Sequence, residues 1–182
     1  LDFGGNVIDS SPMYGTSERV IGKCLNVLGN KHNIFSASKV WTPNAWDGKV
    51  QISNSKKYWD NGNFNLMQVH NLLNYHEHLD TLLKLKEKKE LSYIGITTSH
   101  LRRHDKVKHI IKNYNIDFVQ LTYNILDTEA EEELLRVAYE SNIAVIANRP
   151  FQGGNLFFKI KNKSLPNWIR DLNINSWAEL FL

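Results

Sequence analysis

Four polar side chains in the first part of the chain could do chemistry together. Asp9 and Tyr14 stand five positions apart in NVIDSSPMYG. Lys39 follows the apolar run NIFSAS, and His70 closes FNLMQVH. A tyrosine phenol ionises near pH ~10 and is a poor acid at neutrality. A neighbouring ammonium favours the phenolate and lowers that value, and Lys39 can supply it. Asp9 can pair with Lys39 and keep it charged and oriented. His70 can donate a hydrogen bond to a carbonyl oxygen and hold it beside the phenol. Together they would form an oxyanion-stabilising pocket with a built-in proton donor. Such a pocket suits a hydride arriving at a carbonyl carbon and a proton at its oxygen. No side chain carries a hydride, so a cofactor must bring it. Taken singly, each residue also has a plain use: a loop tyrosine packed on an edge, a solvated lysine, a satisfied histidine.

These residues need elements to position them. Val7 and Ile8 are β-branched and suit a strand, with Asp9 at its end. Pro12 and Gly15 punctuate a turn. Thr16 or Ser17 can cap the helix that follows, with Glu18 in its first turn. Val20, Ile21, Cys24, Leu25 and Leu28 recur at helical spacing and are expected to be its buried stripe. Further strands are expected at 33–38, 64–70, 91–97, 116–121 and 143–147. Between them come a weak helix at 51–59, a leucine-rich helix ending near Lys89, a helix over 105–114, and one capped by Thr128 and Glu131. Ser176 and Glu179 form a second capping-box pattern near the end.

The alternation of strand and helix repeats about six times. Its strands are apolar throughout, as when helices cover both faces of a parallel sheet. A doubly wound open sheet and a (β/α)8 barrel compete. Asp9, Lys39, His70, Thr97, Gln120 and Asn148 all fall at C-terminal strand ends. In a barrel those ends converge on one mouth, whereas in an open sheet they spread along an edge. GxGxxG is absent after the early strands. The expectation is an α/β chain: one partial (β/α)8 barrel, a TIM barrel, over residues 1–182, incomplete because about six of its eight units are in view.

Composition excludes several alternatives. The 182 residues carry 22 basic and 19 acidic side chains, a net +3, too mild and dispersed for a nucleic-acid surface. No run of 18 apolar residues is found, so no membrane span is expected. Cys24, the one cysteine, is expected in the core. His76, His78, His100, His104 and His109 read as surface or helix-end residues, and the His76/His78 pair lacks ligands at metal spacing. No metal is expected. No signal peptide is visible, and the chain opens at Leu1 without methionine. A lost N-terminal portion and a cytoplasmic location are expected, with export left open.

The same stretches resemble a known family. NVIDSSPMYGTSERVIGKCL resembles the signature of the aldo-keto reductases, SASKVW their lysine strand and LMQVHN their histidine strand. YIGITTSH, DFVQLTYNILD and VIANRPFQGGNLF resemble the later strands in order, and the MQVHN and NRPF wording is that of bacterial members. The resemblance implies an NAD(P)H-dependent reduction of an aldehyde or ketone to an alcohol. Tyr14 would be the acid, Lys39 the residue that tunes it, Asp9 the partner of Lys39, and His70 the group that orients the substrate. Gln120 would hold the nicotinamide carboxamide, and Thr97, Thr98, Asn148, Arg149, Pro150 and Phe151 would complete the cofactor site. Thr97 and Thr98 stand where many members have Ser-Asn, and Asn148 where many place an aromatic ring. NADPH is the expected cofactor and NADH the alternative, since the family's segment for the adenosine 2′-phosphate would follow Leu182. Trp41 and Trp46, with Phe151, are candidates for the pocket wall of a small carbonyl substrate. Monomer and homo-oligomer are both compatible with the sequence. Two other readings stand beside the reductase: a sensor that binds the cofactor without turnover, or an inactive truncated copy. A metal-dependent barrel hydrolase using His70 and Asp9 lacks further ligands.

Overall fold

A computed structural model describes residues 4–29, 34–60, 63–99 and 103–182. Six strands form one sheet: β1 Val7–Asp9, β2 Phe35–Val40, β3 Phe64–Val69, β4 Leu91–Thr98, β5 Phe118–Thr122 and β6 Ala144–Asn148. Each pairs in parallel with the next, in the order of the sequence. A doubly wound sheet would reverse its order at a switch point. Strictly sequential neighbours are instead the barrel arrangement. The sheet is curled and open, a half-barrel with β1 and β6 at its edges.

Side chains alternate across a strand, and the register sorts them. Asp9 is level with Ala37, Lys39 with Gln68, Thr97 with Gln120, and Thr122 with Asn148. These line the concave face. Val40, Met67, Val69, Ile94, Ile96, Val119 and Leu121 occupy the other parity and meet the helices in the main core. Helix α1 is Ser17–Leu28, α2 Ala45–Trp59, α3 Tyr75–Glu87, α4 His104–Asn113 and α5 Leu134–Glu140. Trp59, Leu79, Leu82, Val107, Ile110 and Leu134 are their main contributions to that core. Two short helices, α6 Asn155–Lys159 and α7 Trp177–Phe181, follow β6.

Several expectations need correcting. In α1 the buried residues are Glu18, Gly22 and Leu25, while Val20, Cys24 and Leu28 are exposed. Leu25 and, in part, Ile21 face the core as expected, but the buried stripe is rotated away from Val20, Cys24 and Leu28 towards Glu18 and Gly22. Close approach to α2 selects the stripe with the glycine: a Cβ on Gly22 would lie 1.9 Å from the Tyr58 carbonyl oxygen. Gly22→Ala is therefore expected to destabilise the fold by about 1–3 kcal/mol, despite the gain of about 1 kcal/mol from replacing a helical glycine. An unchanged urea midpoint would overturn this view of the helix contact.

Helix α2 starts at Ala45, well before 51, because Asn44 caps it by accepting a hydrogen bond from the Asp47 amide at 2.9 Å. Gly48, which weakened the helical pattern, leaves room for His78: a Cβ there would sit 2.7 Å from the imidazole. His78 is buried rather than superficial, its Nε2 donating to the Thr42 carbonyl at 2.8 Å. Thr128 and Glu131 make no capping box; Thr128 precedes a short 3-10 turn that Glu131 closes, and the Tyr123 hydroxyl donates to Glu131 instead. The box at Ser176 does form on its hydroxyl side, which accepts from the Glu179 amide at 3.1 Å. His100 and the first residue of the expected 33–38 strand lie outside the described residues.

Candidate active site

The strand ends place a buried cation at the centre. Lys39 is 1% exposed, and its Nζ forms an ion pair with Asp9 and donates to the Ser10 carbonyl at 2.8 Å. Asp9 Oδ1 accepts from Gln68 Nε2, and Oδ2 accepts from Gln120 Nε2, each at 3.2 Å. Strands β1, β2, β3 and β5 thus meet on one carboxylate. Burial lowers the pKa of Lys39, and the charge and hydrogen bond of Asp9 work against that shift.

Tyr14 sits on the turn after β1. Its amide donates to the Ser11 carbonyl at 2.9 Å, and its carbonyl accepts from the Ser17 amide at 3.1 Å. The ammonium of Lys39 lies 5.1 Å from the centre of the Tyr14 ring. Burial, and then the negative charge of Asp9, raise the phenol's pKa, while Arg149 draws it down. This departs from the expectation that Lys39 dominates and lowers it. Burial is the main reason, since it disfavours the charged phenolate, and the Asp9 carboxylate adds to it.

His70 follows β3 directly and opens a 3-10 turn. Its ring meets Tyr14 edge to face, centroids 5.7 Å apart at 86°. Ser11 Oγ, fully buried, lies 3.0 Å from His70 Nδ1. Burial first, and Lys39 second, lower the His70 pKa to about 4. The imidazole is therefore neutral at neutral pH.

A cavity of about 360 Å³ opens over these groups, with Asp9, Tyr14 and His70 on one side and Thr97, Gln120, Asn148 and Arg149 on the other. Met13, Asn71 and Ser99 complete its wall. The Thr97 hydroxyl accepts from the Asn71 amide at 3.1 Å. Asn148 Oδ1 accepts from the Thr122 hydroxyl at 2.8 Å. Other expected residues stand apart. Thr98 has the helix-facing parity of β4, level with Leu121. Pro150 lines a separate cavity with Tyr123 and Phe181. Phe151 packs on Phe157, centroids 5.1 Å apart. Trp46 is 75% exposed on the first turn of α2, while the Trp41 ring lies 6.4 Å from that of His70, at the rim.

Sequence reasoning passed over Ser11, Gln68, Asn71 and Ser99. Gln68 was legible, because it shares the parity of Lys39 and a buried amide on that face needs a polar partner. Asn71 carried no such signal; it depends on a left-handed backbone, φ 52°, just past the strand. Among the described residues no group of three or more His, Cys, Asp or Glu could hold a metal ion, and no helix is long and apolar enough to cross a membrane.

Residues 1–178 match the model of the Aldo/keto reductase family. The chain belongs to that family. It is 26% identical over 161 residues to the aldo-keto reductase YhdN of Bacillus subtilis (strain 168), covering 80% of this chain and 48% of YhdN. It superposes on the holo form of aldo-keto reductase AKR11C1 from Bacillus halodurans with a TM-score of 0.73 and 25% identity, covering 92% of this chain and 57% of that one. An aldo/keto reductase from Klebsiella pneumoniae, in complex with NADP and acetate, superposes with a TM-score of 0.81 and 20% identity, over 100% of this chain and 65% of that one. The chain thus spans about half the length of this curated relative, YhdN.

Proposed function

We propose that this chain carries the site of an NAD(P)H-dependent carbonyl reductase, within one partial barrel domain over residues 1–182. The observation that supports it best is the meeting of Tyr14, Lys39, Asp9 and His70 around one buried ammonium and one cavity. A reduced nicotinamide, when bound, supplies the hydride for the carbonyl carbon. His70, neutral, donates a hydrogen bond to the carbonyl oxygen and orients it. Tyr14 gives that oxygen its proton. Lys39 stabilises the phenolate that Tyr14 leaves behind, and Asp9 holds Lys39 in place.

The cavity's polar groups fit a nicotinamide carboxamide, which needs both donors and acceptors. Gln120 is tied to Asp9 through its nitrogen, and its oxygen accepts no hydrogen bond from the described residues. That oxygen would accept the carboxamide N–H, and the Thr97 hydroxyl would donate to the carboxamide oxygen. Asn148 would border the ring, and Arg149 would set positive charge towards the cofactor's phosphates. The Klebsiella relative in complex with NADP makes NADPH the first candidate, with NADH the alternative.

Titration with NADPH or NADH is expected to quench tryptophan fluorescence saturably, because Trp41 stands beside His70. A panel of small aldehydes and ketones should then be reduced. Absence of saturable binding with both cofactors, by fluorescence and by calorimetry, would overturn the reading. Binding without turnover on a broad panel would favour the sensor instead.

A further inference from the structure

We propose that Ser11 is a positioning residue that fixes the tautomer of His70, leaving Nδ1 bare and the proton on Nε2. The use of that Nε2–H, to hold a substrate carbonyl, rests on the reductase reading above; the placement of the proton does not.

The argument counts donors and acceptors. A serine hydroxyl has one proton to give and two lone pairs to receive with. Ser11 Oγ is fully buried, so water cannot complete its bonding. It has two partners among the described residues: the Met13 amide, 3.2 Å away, and His70 Nδ1 at 3.0 Å. The Met13 amide can only donate. If Nδ1 also carried a proton, Ser11 would accept twice and its own hydroxyl proton would be buried without an acceptor. Leaving a buried donor unmade is the costly choice. If Nδ1 is bare, the hydroxyl donates to it, the amide donates to the hydroxyl, and every group is satisfied. The second arrangement wins.

Burial and the Lys39 charge keep the ring from holding both protons at neutral pH. The single proton then sits on Nε2, which has no partner among the described residues, on a ring that lines the cavity. Ser11 also starts the turn that carries Tyr14, through its carbonyl. One residue therefore ties the hydrogen-bond donor to the proton donor. Its hydroxyl is aimed by the Met13 amide two positions on, a local serine turn, so the device is built largely within the β1–α1 loop.

The test reads the ring nitrogens directly. Protein labelled with 15N in its histidines is examined by two-bond 1H–15N correlation at neutral pH, and the His70 signals are assigned by their loss in His70→Gln. The expected wild-type pattern is a bare Nδ1 and a protonated Nε2. Ser11→Ala should shift His70 towards the Nδ1–H form or a mixture, and Ser11→Thr, which keeps the hydroxyl, should restore the wild-type pattern. In carbonyl reduction, Ser11→Ala should lose about tenfold in kcat/KM, the worth of one hydrogen bond, and Ser11→Thr should recover it. A protonated Nδ1 in the wild type overturns the inference whatever the activity. So does a Ser11→Ala spectrum identical to the wild type. Should Ser11→Ala fail to fold, the wild-type spectrum and Ser11→Thr still decide. The expected tautomer in a protein that reduces no carbonyl would support the placement of the proton and overturn the reductase reading.

Discussion

Tyr14→Phe is expected to lower carbonyl reduction by roughly 10² to 10⁴, the usual worth of a positioned proton donor. The substitution removes one hydroxyl and keeps the ring that packs against His70 and Lys39. Folding should change little, since no hydrogen bond from the Tyr14 hydroxyl to the described residues is lost. Cofactor affinity should also persist, because the groups assigned to the carboxamide, Gln120 and Thr97, are untouched. Lost turnover with retained quenching is therefore the expected pair of results. Turnover within a factor of a few of wild type would remove Tyr14 from the chemistry and leave it as a loop anchor.

Lys39→Met comes second, with a loss of about 10² in turnover, comparable to removing one preorganised donor from a charged transition state. It takes away the cation beside the phenol and leaves the Asp9 carboxylate without its counter-charge. Stability falls as well, so rates are compared well below the melting temperature. The pH profile separates the two effects. Burial brings Lys39 below the ordinary lysine range, so wild-type activity should decline at alkaline pH earlier than an exposed lysine would dictate. In Lys39→Met that limb should move up, to where Tyr14, itself held above the ordinary phenol value, ionises. A variant with the wild-type rate and the wild-type profile would dismiss Lys39 from the mechanism.

The strands were legible because their apolar runs are short and continuous, and the polar residue closing each run marked the mouth of the barrel. Asp9, Lys39 and His70 could be read that way, and Tyr14 from its turn. What could not be read depends on packing between elements. The buried face of α1 is set by a backbone contact at Gly22, which no hydrophobic count registers. His78 looked superficial because the space for it is made by Gly48, thirty positions away in the chain. The candidate cofactor residues split for a geometric reason. Thr97 and Thr98 are neighbours in sequence, but strand alternation sends them to opposite faces. Pro150 and Phe151 follow Arg149, whose backbone is left-handed at φ 54°, and they line another cavity and pack on Phe157 respectively.

The carboxylate of Asp9 has a bearing on how the molecule is made. Its partners come from Lys39, Gln68 and Gln120, and the last of these is separated from it by 111 positions. Contacts between strand neighbours are comparatively local and can form as each unit docks on the one before. Joining Asp9 to Gln120 requires closing a far larger loop, and that entropy is recovered only once the intervening strands have curled. The bond from Gln120 to Asp9 therefore belongs among the last contacts to form, after the Asp9–Lys39 pair of the neighbouring strands β1 and β2. Lys39 can meet Asp9 when β2 docks on β1, and the Gln120 amide joins the same carboxylate only when the curl has brought β5 round to it. The hydrogen bonds on this one carboxylate are thus assembled in the order in which the strands arrive, with β5 completing the set.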